Sequence, residues 1–399
     1  MEEILANAKR LYRLKQNQPL PRFKRYLFDD LIDSPAKLMA IYGSRGVGKT
    51  TLLMQLLHES KSSEKLYISC DHPMFYGVSL FDFVDEFAKR GGELIAIDEV
   101  HEAKNYEQEL KSIYDFLDIK VYFTGSSAIA LRSPDFARRY SMYHLYPLSF
   151  REFLELSFAI ELPAYDLEEI LSDHETIADR IIDLLPDKKI LKYFYLFWDV
   201  GVYPFYFEDK SRYIDRINDT INKILHIDLS KIHSIQPDKV DTLKKILLTV
   251  CVSEPFELNI EKIAKLAGIS KATLYKYLRY LDEAELITLV KNEAKRFAYI
   301  RKPDKLYLAN PNLSNALCAE RKTGTLRETF FVSQIRAKHS IYYSNSGDFL
   351  VDEKYTIEVG GKGKGFEQIK NLPHSYVAAD GIEVGYNRKI PLWLFGFLY

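Results

Sequence analysis

"AIYGSRGVGKTTLLMQLL", residues 40–57, decides the fold. Gly43-Ser44-Arg45-Gly46-Val47-Gly48-Lys49-Thr50 fits the pattern G-x-x-x-x-G-K-[ST]. The preceding run, Lys37 to Tyr42, is short and apolar and reads as a buried strand, while the leucines that follow recur at helical spacing. A strand, a glycine-rich turn and a helix in this order make a phosphate cradle. Its glycines let the backbone close on phosphate oxygens where a Cβ would collide. The N–H groups of the turn and of the helix start then face the negative charge. Gly43 through Thr51 are therefore assigned to nucleotide binding, with Lys49 reaching the β- and γ-phosphates and the Thr50 hydroxyl ligating Mg²⁺. ATP and Mg²⁺ are the expected cofactors.

About 50 residues downstream, "ELIAIDEVH" places Leu94 to Ile97 ahead of Asp98-Glu99. A buried strand ending in two carboxylates suits the metal side of such a site. Asp98 would hold the Mg²⁺ hydration shell and Glu99 would polarise the attacking water. The next strand, "KVYFTGSS", offers Thr124 or Ser126 as a γ-phosphate sensor, with ordinary strand-to-helix capping as the other reading. Arg138 and Arg139 stand just before "MYHLYPL". An arginine there serves either as a finger completing a neighbouring subunit's site or as a solvated surface residue.

The 399 residues allow two to four domains, and 47% apolar residues supply a core for each. A net charge of −1 gives no global attraction to nucleic acid. Cys70, Cys251 and Cys318 lie far apart with no zinc spacing, which predicts free thiols in a reducing compartment. The N-terminus lacks a signal-peptide core, and no apolar run reaches the ~18 residues of a membrane span. A cytoplasmic protein with no membrane partner is expected.

Along the chain, residues 1–30 read as a helix and a basic arm (Lys9, Arg10, Arg13, Lys15, Arg22, Lys24 and Arg25), a solvated face in the first reading and a phosphate or nucleic-acid contact in the second. From 31 to 150, strands alternate with amphipathic helices, which implies a parallel α/β sheet. Residues 151–240 turn helix-rich and aromatic and are assigned as a helical lid. Residues 241–309 contain "NIEKIAKLAGISKATLYKYLRYLDEAELI", a helix–turn–helix with Gly268 at the turn and Ser270 as the second cap. Lys271, Thr273, Lys276 and Arg279 face outward, and a wing would add Lys291, Lys295, Arg296, Arg301 and Lys302. Residues 257–305 hold 11 Lys/Arg against 7 Asp/Glu, which suits a helix in the major groove of double-stranded DNA, with a spacer or protein-docking module as the other reading.

"YGSRGVGKTTLL", "IDEVH", "FTGSS" and "LYPLSFREFLE", in this order, resemble a prokaryotic family of AAA-type P-loop ATPases with a C-terminal PD-(D/E)xK nuclease-like domain. The resemblance implies an AAA-type parallel sheet with a helical lid, then a winged helix, then an α+β restriction-endonuclease-like domain over 310–399. It matches Arg45 and, better than Arg138, Arg139 to arginines of the family, although the family has glycine where Arg138 stands. In the tail it implies a degenerate metal site of Glu328, Asp348 and Glu358, with Gly360 at the usual lysine position. Lys362 or Lys364 could swing in, and Gln368 resembles a helical glutamine of some nuclease relatives. The expected function is ATP hydrolysis coupled to DNA or a partner, in a possible homo-oligomer. A slow nucleotide-gated scaffold and a metal-dependent nuclease are the alternatives.

Overall fold

The computed structural model describes residues 1–125, 138–233, 235–252, 260–292 and 305–399, which divide into two compact units, Met1–Pro147 and Leu148–Tyr399. Ser126, Lys295, Arg296, Arg301 and Lys302 lie outside the described residues.

In the first unit five parallel strands, β1 (Leu38–Tyr42), β2 (Lys65–Ser69), β3 (Leu94–Asp98), β4 (Lys120–Gly125) and β5 (Ser141–His144), lie in the order β2-β3-β4-β1-β5. Strands β1 and β3 are unbroken apolar runs because helices cover both faces of a parallel sheet. The helices are α1 (Glu2–Gln16), α2 (Phe28–Ile32), α3 (Lys49–Glu59), α4 (Leu80–Lys89) and α5 (Tyr106–Phe116). Strand β4 sits between β1 and β3, pairing Ile41 with Thr124 and Ile97 with Phe123. The loops after β1 and β3 therefore leave the same carboxyl edge one strand apart, where α/β sheets bind ligands.

In the N-terminal basic arm Arg10, Arg13, Arg22 and Lys24 are exposed, Lys9 and Lys15 are half-buried, and one face packs inward. Helix α1 buries Leu5, Ala8 and Tyr12, and Arg25 is itself buried.

The second unit starts with α6 (Phe150–Phe158), α7 (Leu167–Leu184) and α8 (Ile190–Asp199). A capping box starts α6: Ser149 Oγ accepts from Glu152 N and Glu152 Oε2 from Ser149 N, both at 3.1 Å. These helices, expected as part of a lid on the nucleotide core, bury their apolar faces within the second unit. Phe150 meets Phe397, Phe194 meets Phe330, and Ser149 Oγ donates to Tyr399 O at 2.9 Å. The apolar C-terminal run is thus interior, a strand followed by a short helical turn, Leu392–Phe397.

Helices α9 (Tyr213–Lys223), α10 (Leu229–His233), α11 (Pro237–Val252), α12 (Ile260–Ala267) and α13 (Lys271–Glu283) follow. Gly268, at φ +67°, makes the turn between α12 and α13, and Ser270 Oγ caps α13 by accepting from Thr273 N at 3.1 Å. Strands β6 (Ile287–Val290) and β7 (Lys305–Leu308) pair antiparallel. After α14 (Pro311–Leu317) and α15 (Thr323–Ile335) comes a mixed sheet ordered β12-β11-β10-β9-β8. Its strands are β8 (Ile341–Tyr343), β9 (Phe349–Val351), β10 (Tyr355–Gly360), β11 (Ser375–Ala379) and β12 (Lys389–Pro391).

Cys251 and Cys318 form a disulfide, which corrects the expectation of free thiols. Sequence spacing could not show it, because α11 and the end of α14 meet only in the folded chain. Cys70 remains free, and burial pushes its thiol up to about 12. No described helix is long and apolar enough to cross a membrane.

Candidate functional site

The loop between β1 and α3 has the shape its glycines permit. At Gly43, φ +153°, an added Cβ would lie 2.2 Å from the Leu145 carbonyl oxygen, so no other residue fits there. Gly48 caps α3 at φ +98°, turning the first N–H groups of the helix toward the loop. Lys49 is buried and donates to the carbonyls of Gly43, at 2.8 Å, and Ser44, at 3.0 Å. Its ammonium thus lies over the loop that should cradle the phosphates.

Arg25 closes the loop from outside. It donates to the Val47 carbonyl and to the Tyr146 carbonyl, at 2.6 Å each, tying the cradle to the segment after β5. Sequence reading placed Arg25 in a basic arm. Only its partners, 22 and 121 residues away, reveal a structural role.

Asp98, at the end of β3, is 3% exposed. Its Oδ2 accepts from Thr50 Oγ1 at 2.6 Å and from Tyr67 OH at 2.8 Å, and its Oδ1 accepts from Thr124 Oγ1. Three neutral hydroxyls meet this buried carboxylate, and it forms no ion pair among the described residues. An anion so placed, beside a threonine hydroxyl, fits a hard divalent cation. Thr50 and Asp98 would hold Mg²⁺, which when bound would supply positive charge to offset that of the phosphates. Burial and the charge of Asp98 push the Tyr67 phenol well above its ordinary value, so it stays a donor. Tyr67 carries no sequence signal. Its role follows from strand pairing, which sets Ser69 of β2 opposite Asp98.

Glu99 is held at φ +50°, a left-handed conformation that is uncommon for a non-glycine residue. Its N–H donates to Thr124 Oγ1 at 3.0 Å. Thr124 therefore bridges both carboxylate residues, which locates it at the site without distinguishing sensing from capping. Glu99 Oε2 is buried and accepts no hydrogen bond among the described residues, with His101 Nδ1 at 3.4 Å. A carboxylate whose lone pairs are not engaged suits a general base. Arg139 pairs with Asp115 of α5 at 3.2 Å, and Arg138 is exposed.

The tail carboxylates are arranged differently. Lys305 of β7, 0% exposed, places Nζ 3.1 Å from Glu328 Oε2 and 3.4 Å from Asp348 Oδ1. Tyr307 also donates to Glu328, and Val359 N donates to Asp348 Oδ2 at 2.8 Å. Lys364, in the loop after β10, pairs with Glu358 and donates to Gln368 at 2.8 Å. Burial raises the Glu328 and Glu358 carboxyls above their ordinary values, opposed by the nearby lysines. The three acids expected to share a metal are thus met by two ammonium groups. No set of three or more metal-ligating side chains converges among the described residues. Lys362 donates no side-chain contact of this kind; its carbonyl accepts from Lys389.

The first unit carries the P-loop NTPase fold of the AAA type. Residues 35–154 match a family model described as an AAA domain, and residues 191–324 match one described as a domain of unknown function (DUF8612). Two uncharacterized proteins of Methanocaldococcus jannaschii are similar to most of the chain. One is 26% identical over 91% of this chain and 84% of its own length. The other is 24% identical over 80% and 72%. Among solved structures, the Walker-type ATPase of Pyrococcus abyssi aligns over 75% of this chain and 98% of its own, at 15% identity and TM-score 0.45. The replication initiator DnaA bound to AMPPCP and single-stranded DNA aligns over 65% and 87%, at 14% identity and TM-score 0.30.

Proposed function

We propose that the chain hydrolyses ATP with Mg²⁺ and uses its nucleotide state to control binding of double-stranded DNA or a protein partner by the second unit. One observation carries the first half: the Thr50 hydroxyl lies 2.6 Å from a buried Asp98 beside Glu99. Lys49 and the loop from Gly43 to Thr51 hold the phosphates, and Glu99 takes the proton of the attacking water. Thr124 senses the γ-phosphate, and Arg139 acts as a finger for a neighbouring copy after leaving Asp115.

DNA contact is proposed for a winged helix in which Lys271, Lys276 and Arg279 of α13 are exposed. Two of these already pair with acids: Lys271 with Glu261, and Arg279 with Glu283 at 3.5 Å. Phosphates would have to compete for them, and that favours a modest affinity. The nuclease-like tail is read as a binding or assembly module, because Lys305 and Lys364 already neutralise its acids.

Single-turnover ATP hydrolysis with and without double-stranded DNA tests the whole reading. Glu99→Gln should keep ATP binding and slow turnover by about 100-fold or more, and Lys49→Ala should lose binding. DNA-stimulated turnover supports coupling, whereas indifference to DNA favours the scaffold. Plasmid cleavage abolished by Glu358→Ala would replace the assembly role of the tail with a nuclease.

A further inference from the structure

Beside the Thr50–Asp98 pair lies a cavity of about 580 Å³, walled by Thr50, Asp98, Glu99, Tyr67 and Asp71 and by Lys15 of α1. Lys15 is half-buried in the last turn of its helix. Its Nζ donates to Tyr67 OH at 2.8 Å and lies 3.9 Å from the centre of that ring. It forms no ion pair among the described residues. The phenol that receives its proton donates in turn to Asp98. An ammonium is thus held two hydrogen bonds from the expected metal ligand, on a wall shared with the water-activating Glu99.

Helix α1 is fixed firmly enough to aim it. Leu5, Ala8 and Tyr12 are buried, Lys9 pairs with Glu64 at 3.4 Å, and Arg90 pairs with Glu2. The four-carbon stem of lysine leaves the charge free to move a few ångströms while its helix stays still. The Asp98 and Asp71 carboxylates act on this charge from the same cavity wall, but the one hydrogen-bond acceptor it touches is a neutral phenol. A terminal phosphate entering the cavity would offer it a direct anionic contact.

We propose that Lys15 contacts the γ-phosphate of bound ATP and makes the site distinguish ATP from ADP. The inference rests on the ATP reading above. Tyr67 parks the ammonium before the phosphate arrives. The first unit therefore carries its own γ-phosphate cation, apart from Lys49 and from any neighbour's arginine.

Equilibrium competition of ATP and of ADP against a fluorescent nucleotide, with Mg²⁺, tests this in the full chain. Lys15→Met keeps the stem and should weaken ATP about tenfold, as loss of one charge-assisted contact does. ADP should stay within about twofold, and that also reports an intact fold. Lys15→Arg should recover much of the ATP preference. An ATP-to-ADP ratio unchanged in Lys15→Met, including an equal loss for both nucleotides, overturns the inference and leaves the ATP reading standing. Failure of the unaltered chain to bind either nucleotide overturns that reading itself.

Discussion

Lys305→Met removes a fully buried ammonium and leaves its surroundings almost the same in volume. Two carboxylates, Glu328 and Asp348, lie 3.1 and 3.4 Å from the Nζ that is lost. Breaking a buried charge pair from one side costs about 3–5 kcal/mol, since the remaining charge is left without a partner. For a body of this size each kcal/mol moves Tm by about 2–4 °C, so the second unit should melt roughly 10 °C lower. The loss should depend on pH with a definite sign. Burial already holds the Glu328 carboxyl above its ordinary value, while Lys305 pulls it down and Asp348 pushes it up. Without Lys305 that folded-state value rises further above the unfolded one. The folded variant then binds a proton more readily than the unfolded chain, so stability relative to the unaltered chain recovers as pH falls toward the raised value.

Urea unfolding at pH 8 and pH 5, followed by far-UV circular dichroism, measures both effects. The gap between Lys305→Met and the unaltered chain should be larger at pH 8. Adding Glu328→Gln should return part of the loss, because the amide oxygen still accepts from Tyr307 without carrying charge. A loss under about 1 kcal/mol, a gap equal at both pH values, or a double variant no better than the single would show that the ammonium does not neutralise this cluster.

Gly43→Ala should abolish nucleotide binding, read by the same fluorescent competition, because the new Cβ would sit 2.2 Å from the Leu145 carbonyl oxygen. The Cys251–Cys318 bridge spans 67 residues, for which loop closure in the unfolded chain contributes about 4 kcal/mol. Reductant should therefore lower Tm of the unaltered chain and leave Cys251→Ser unmoved. His233 stacks on Tyr280 at 3.5 Å, and burial, with Arg279 and Lys276 adding to it, lowers its imidazole to about 4 against the opposing pull of Glu283 Oε2, 3.4 Å from Nε2. A folded value below the unfolded one means that stability is lost as pH falls from about 6.5 toward 4. His233→Phe should flatten that part of the pH–stability profile.

The candidate nucleotide site was legible because its signals are local. Glycines at fixed offsets, a lysine at a helix start and two acids at a strand end each sit within a few residues of the backbone they shape. Alternating strands and helices likewise gave the parallel sheet, and the extra strand between β1 and β3 follows from the same alternation. The residues that surround the candidate site were not legible. Arg25, Lys15 and Tyr67 act through partners 22 to 121 residues away, and a lysine or tyrosine in an amphipathic stretch carries no mark of such a partner. The helices from Phe150 to Asp199 show the same limit. Their apolar spacing says that one face is buried, but it cannot say that Phe150 and Phe194 pack on Phe397 and Phe330.

The two acidic clusters differ in the kind of donor that meets them, and that difference bears on what each can exchange. Around Asp98 the donors are hydroxyls of Thr50, Tyr67 and Thr124. A divalent cation can take over a carboxylate oxygen from a hydroxyl, because the hydroxyl keeps a lone pair to offer the same ion. Around Glu328, Asp348 and Glu358 the donors include ammonium groups, which have no lone pair to give. A metal entering there would have to expel a lysine, and Lys305, fully buried, has no solvent to receive its charge. Mg²⁺ should therefore stabilise the first unit against unfolding in the presence of ATP and leave the second unit unchanged. Domain-resolved hydrogen exchange can separate the two, and protection of β10 and α15 by Mg²⁺ alone would contradict this assignment of roles.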